Sequence, residues 1–441
     1  MWTQKPRLGA VAAYAPMETG WEEAPKRIAE ARAALAALPV DLTVFDEPVG
    51  DLSSVLRAAD RLRTAGIEGI VWLAATWAFD SLALEFLRVC PAPLAAWGVP
   101  HMETGSVCGS QQLIQVLTEL RHPRAFVHAA AADPAVHGAI LDFAQAAAAW
   151  QRLKRARFGM LGHRTVGMTE VVFHGLDLMR RFGSMVYYMD ADRLRSLMGE
   201  VAAADAAAAW ARVKARCGNC AVSEADGTAA ARCYLAMRKW AERDGLHGIA
   251  VGCYPDLMGT ACLGCGLLAE EGIVTSCEGD MNSVVMTAVM HLMSGRPVHN
   301  TDFLTADLTD NTCTFSHCGN SAICLAADEA DVALEHVRLM DQGVVTRYPG
   351  APGRVTLANL CGTKDTYRMT YYTGEAVPTE MTFPGIPVKV RLDVPAAQFL
   401  RDTAAFGAGH HWMIAYGDLS KPLAAFAEFA GLKTLSGAKN Q

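Results

Sequence analysis

The chain has 441 residues, with 39 Lys and Arg against 46 Asp and Glu, a formal net charge of -7 and 19% charged residues. Its one basic run, RLKRAR at 152–157, reads as a solvated helix end or domain junction, and without clustered cations nucleic acid is excluded as the main partner. No apolar stretch reaches the ~20 residues that span a bilayer, and the opening MWTQKPRLGAVAAYA reads as a first strand, not a signal peptide; a soluble, cytoplasmic protein with no membrane partner is expected.

The length suits two or three domains. In chain order, the short apolar segment LGAVAAYA is followed by the helix pattern WEEAPKRIAEARAALAAL. Then come DLTVFD, a helix, IEGIVWLA, another helix, APLAAWGVP and RAFVHAAA, closed by a long Ala-rich helix near 133–155. Such alternation of strand and helix means a parallel, doubly wound sheet. The pattern restarts at ARFGMLGH and runs through MVYYMD and GIAVGCYP to GIVTSCEGD. Beyond about residue 300, TCTFSH, RVTLANL, TYRMTYYTGEAV and PVKVRLDV alternate like antiparallel strands, with turn signals such as YPGAPGR between them. The expected fold is α/β, two doubly wound parallel-sheet domains followed by a β-rich mixed C-terminal domain. The expected bounds are 1–156, 157–300 with Glu278, and 301–441 with His317 and His411.

Thirteen cysteines, an odd number at irregular spacing, argue against a disulfide framework. Two CxxC pairs, Cys217/Cys220 and Cys262/Cys265, raise a structural zinc site. CLGC lies in a small-residue segment suited to tight packing, so buried free thiols acting as small hydrophobes are the preferred reading.

The stretch SCEGDMNSVVMTAVMHLMSG carries the chemistry. From Met281 to Met293 apolar residues recur at helical spacing, and GIVTS before them is a short buried strand, so the segment predicts an amphipathic helix entered from a strand end. Ligands bind at that edge of open α/β sheets. Asp280 is assigned to the helix N-cap, which leaves Glu278 facing a cleft. Downstream stand Asp302 in NTDF, His317 in TFSHCGN, and His410, His411 and Trp412 in GAGHHWMIAYGD. Glutamate, aspartate and imidazole form an oxygen/nitrogen ligand set suited to Mn²⁺, Mg²⁺ or Co²⁺ with open positions. Against that stands the plain reading of a turn aspartate and hydrogen-bonded histidines.

These motifs resemble the L-fucose/L-arabinose isomerase family. The match consists of an acidic EGD opening a helix, a second acid about two dozen residues later, and the HH segment followed by LAAFAEFAGLKTL. TFSHCGN is similar to the arabinose branch, and RVTLANL with TYRMTYYTGEAV to the family's C-terminal sheet. The resemblance implies Glu278, Asp302 and His411 as metal ligands, His317 as a possible fourth or a substrate-orienting residue, and His410 and Trp412 as substrate contacts. It also implies that Glu278 and Asp302 form an acid/base pair. The family's N-terminal sugar contacts do not transfer to APMETGW or ATWAFD.

The expected protein is therefore a metal-dependent aldose–ketose isomerase, using Mn²⁺, Co²⁺ or Mg²⁺ on a free or modified small-molecule sugar through a cis-enediol(ate). By the same resemblance it is a homo-oligomer in which a neighbouring subunit's N-terminal domain closes the site. The alternatives are an epimerase or lyase that shares the enediolate, and a non-catalytic sugar-binding or regulatory protein.

Overall fold

The computed structural model describes residues 5–100, 104–381 and 384–437. Strands β1 (Arg7–Ala13), β2 (Asp41–Val44), β3 (Gly69–Ala74), β4 (Leu94–Gly98) and β5 (Arg124–His128) form a sheet in the order β2-β1-β3-β4-β5. All four pairings are parallel, as the strand–helix alternation requires. The helix Pro134–Leu153 closes this series, starting on a proline whose missing N–H costs nothing at a first turn. Chain contacts divide the described residues into two compact units; one holds residues 5–152 and 421–431, the other 153–420 and 432–437.

The helix Ser420–Ala430 thus belongs largely with the first sheet. Phe426 lies edge-on to Trp150 with ring centroids 6.0 Å apart, and Phe429 to Phe143 at 6.2 Å. Arg124 pairs with Glu428 at 3.1 Å. Arg152 of the basic run is not solvated. Its guanidinium grips buried Glu68 through Nε at 2.8 Å and a second nitrogen at 2.9 Å, and holds that carboxyl below its usual range despite burial.

In the other unit, β6 (Arg157–Leu161), β7 (Met185–Met189), β9 (Gly248–Val251) and β10 (Val274–Ser276) make a parallel sheet in the order β10-β9-β6-β7. The short β8 (Asn219–Cys220) joins β13 (Ala333–Val337) and β14 (Gln342–Arg347) in a separate sheet. Beyond residue 298 follow β11 (His299–Asp307), β12 (Thr312–Ser316), β15 (Gly353–Cys361), β16 (Arg368–Val377), β17 (Val388–Leu392), β18 (His411–Tyr416) and β19 (Lys433–Ser436). They pair as β15-β18-β11-β12-β17-β16-β19, and β15 also pairs with β16, which closes six antiparallel strands into a barrel. Aromatic and branched residues of the strands fill it, Phe315, Tyr372 and Trp412 among them, together with Phe399 from the helix Ala396–Phe406.

The helix Met281–Ser294 corrects the amphipathic reading. Twelve of its residues are buried, as for a helix enclosed on all sides. All thirteen cysteines are free. Cys262 and Cys265 are buried, Cys220 is exposed, and among the described residues no cluster able to hold a metal includes a thiol. No helix of the described residues is long and apolar enough to cross a membrane.

Candidate active site

The chain between β10 and the buried helix makes a tight elbow. Glu278 and Gly279 both take left-handed backbone, with φ of 63° and 72°. For a glutamate this is strained and persists only where surroundings enforce it. They do: Glu278 C=O accepts from Thr165 N–H at 3.1 Å, and Gly279 N–H donates to Val251 C=O at 3.0 Å. The elbow is thereby tied to the loop that leaves β6 and to the last residue of β9, at the carboxyl edge of the sheet where open α/β folds bind ligands.

Strand register brings the remaining residues. Asp302 on β11 lies directly opposite His411 on β18 and, on the other side, Ser316 of β12. His317 follows Ser316, so three distant segments meet at one barrel end. His411 Nε2 is 2.9 Å from Glu278 Oε2 and 3.6 Å from Asp302 Oδ1. His410 Nε2 is 3.8 Å from each of the same two oxygens. Two sets of ligating atoms, from Glu278, His410 and His411 and from Asp302, His317 and His411, each lie within 4.8 Å of one another.

Trp412 does not join them. Successive side chains of a strand point to opposite faces, so with His411 toward the acids Trp412 turns into the barrel core, 5.1 Å from Phe399 and 6.2 Å from Phe315 between ring centroids. Its expected contact with substrate is corrected to packing.

The two buried histidines are wired in opposite senses. His411 Nδ1 lies 2.8 Å from Asp280 Oδ2. The N–H sits there, and in the metal-free site Nε2 carries a second proton toward Glu278; loss of that proton turns the Nε2 lone pair to the same point, the arrangement by which an outer carboxylate orients a metal-ligating imidazole. His317 Nδ1 instead accepts the Cys318 N–H at 2.8 Å, which puts a neutral ring's proton on Nε2. Asp280 also caps the helix as expected, accepting from Ser283 N–H at 3.1 Å and Ser283 Oγ at 2.6 Å. Its second role was missed because the capping pattern is local and His411 lies 131 residues further on.

Burial pushes the Glu278 carboxyl up, but the His410 and His411 imidazoles outweigh it and hold Glu278 well below the usual carboxylate range. Burial pushes His411 down; Asp280 and Glu278 reverse this and raise it to about 10 in the metal-free site. Asp302 Oδ1 is buried with no hydrogen-bond partner among the described residues. Such an orphaned carboxylate oxygen beside an oriented imidazole fits a divalent cation.

Fold and site together describe an α/β protein with a carboxylate–imidazole centre between a parallel sheet edge and a barrel end. No family model matches the chain. Named relatives do. It is 23% identical over 386 residues to a sulfoquinovose isomerase of Priestia aryabhattai, covering 85% of this chain and 86% of the relative. A sulfoquinovose isomerase of Alkalicoccus urumqiensis is 24% identical, with 81% and 83% covered. An L-arabinose isomerase of Herpetosiphon aurantiacus is 25% identical, with 75% and 70% covered. A solved transporter solute-binding protein from Burkholderia multivorans aligns at 13% identity, covering 66% of this chain and 95% of its own, with a TM-score of 0.20, too low to bear on the fold. The resemblance to the fucose/arabinose isomerases extends over most of the chain, and the relatives point to an enzyme, an aldose–ketose isomerase.

Proposed function

We propose that this protein is a metal-dependent aldose–ketose isomerase that moves a proton between adjacent carbons of a free or modified sugar through a cis-enediol(ate). The observation that supports it most is that His411 Nε2 faces both Glu278 and Asp302, each in a ligating cluster with it, with an unpartnered Asp302 oxygen, at a sheet edge. These three residues would hold the ion. Mn²⁺, Co²⁺ and Mg²⁺ suit such a set, and the bound cation supplies Lewis acidity to oxygens that gain charge as the proton leaves.

The chain's own residues do the rest. A carboxylate, Glu278 or Asp302, takes the proton from one carbon and returns it to its neighbour. His317 shares the cluster of Asp302 and His411, as a fourth ligand or as the residue that orients a sugar oxygen. A homo-oligomer is part of the same proposal. The edge strand β7 exposes Met185 and Tyr188, and the adjoining helix Gly175–Phe182 exposes Leu176 and Met179, an apolar surface suited to a second copy.

The test is turnover of a sugar panel that begins with sulfoquinovose and L-arabinose, before and after exhaustive chelation, in H₂O and D₂O. Activity lost on chelation, restored by Mn²⁺ or Co²⁺ better than by Ca²⁺, with deuterium on the carbon beside the product carbonyl, is the expected result. Full activity in chelated, metal-free protein would overturn the metal. Product free of deuterium at every extent of reaction would replace proton transfer by a hydride shift.

A further inference from the structure

The wiring of His411 recurs, one residue earlier, from the far side of the cleft. His410 Nδ1 lies 2.6 Å from Glu170 Oε1, while its Nε2 faces Glu278 and Asp302 at 3.8 Å each. Both neighbouring imidazoles therefore have a carboxylate on Nδ1 and the same acid pair before Nε2. The carboxylates differ in setting. Asp280 is buried at the helix cap; Glu170 stands half-exposed on the loop between β6 and the helix Gly175–Phe182. That loop is anchored on both sides of Glu170, by Thr165 N–H on Glu278 C=O and by the buried side chain of Val171. Glu170, Asp280, Asn282, Asn359, His410 and His411 line one small cavity.

We propose that Glu170 is a positioning residue for substrate: it keeps the proton of His410 on Nδ1, so that Nε2 is an acceptor for a sugar hydroxyl beside the acid pair. A neutral imidazole with its Nδ1–H committed to a carboxylate has one tautomer and one ring orientation, and its other nitrogen accepts. At 3.8 Å the Nε2 lone pair is outside hydrogen-bond reach of either acid, which leaves it available to a ligand. His411, 2.9 Å from Glu278, is already engaged. The inference rests on the isomerase reading above for the identity of the ligand, but not for the wiring.

The experiment uses full-length protein carrying ¹⁵N-histidine, with the His410 signals identified by their loss in His410→Asn. Long-range proton–nitrogen spectra should show His410 protonated on Nδ1. Glu170→Ala should abolish that preference, and Glu170→Gln should keep it, because the amide oxygen still accepts. For a sugar the wild type turns over, Glu170→Ala should raise KM roughly tenfold and change kcat less than threefold, the scale of one lost orienting hydrogen bond. Glu170→Gln should stay near wild type. Calorimetric Mn²⁺ affinity should hold within threefold in both variants. A wild-type His410 protonated on Nε2, or a Glu170→Ala variant unchanged in tautomer and KM, overturns the assignment. A loss of Mn²⁺ affinity beyond tenfold in Glu170→Ala also overturns it, by moving His410 into the metal's own ligand set. Should the wild type isomerise no sugar, the proposed function fails, while the tautomer still decides the role of Glu170.

Discussion

Asp280 carries two loads at once. One oxygen caps the helix through Ser283 N–H, and the other takes Ser283 Oγ–H and the His411 Nδ1–H. In Asp280→Asn an NH₂ group replaces one of those acceptors, so one donor must face another. Asparagine caps well, so the melting temperature should move little. Metal affinity should nevertheless fall by about 10- to 100-fold, the usual effect of losing a carboxylate behind a metal-ligating histidine. Glu278→Gln keeps size and removes basicity, so turnover should fall by roughly 10²–10⁴-fold. Calorimetry and steady-state kinetics on the two variants separate these effects; unaltered metal affinity in Asp280→Asn would remove the second load. At this scale the acids and histidines were legible, because oxygen and nitrogen donors in ordered motifs carry chemistry. Glu170 was not: it stands in GMTEVV, which matches no motif, and only a strand-end position after ARFGMLGH could have drawn notice.

Among the elements, the elbow at 277–280 decides where Glu278 points. A Cβ on Gly279 would stand 2.8 Å from Arg164 Cα and from Met160 Cε, on backbone of φ +72°. Gly295, at the far end of the same helix, has φ +68° but open space around it. Gly295→Ala should therefore cost only the left-handed conformation, about 1 kcal/mol. Gly279→Ala adds a clash with main chain and should cost more, up to about 3 kcal/mol, and it should weaken metal binding by displacing Glu278. Equal melting-temperature losses for the two variants would refute the packing argument. Strands and helices were readable from period and turn chemistry, yet register was not. Nothing in NTDF or HHWMIAYGD says that Asp302 faces His411, since cross-strand pairing between segments more than a hundred residues apart is set by barrel closure. The buried helix misled for a related reason: Asn282, Ser283 and Thr287 look like a solvent face, but they bond within the fold to Gly362 C=O, to Asp280 and to Ser283 C=O.

For the whole molecule, the metal-free site ties stability to pH. His411 is raised to about 10 from an unfolded value near 6.5. Its contribution is therefore complete below pH ~6.5 and is lost as pH climbs toward 10. Glu278, depressed, contributes above its unfolded value near 4.5 and loses that contribution as pH falls. Chelated protein should melt at progressively lower temperature from about pH 6.5 to about pH 9, while the rise in melting temperature caused by Mn²⁺ grows over that range, because ligation needs His411 neutral. A Mn²⁺ effect larger at the acid end would contradict this. The helix Ser420–Ala430 has a consequence of another kind, in time. Residues 5–152 are made well before 421–431, and domains generally fold in the order of synthesis. Yet Phe143 and Trp150 pack edge-on against Phe429 and Phe426, which follow residues 153–420 of the other unit in the chain. This unit is thus completed only after residues 153–420 of the other have been made, and until then it waits with an aromatic seam open.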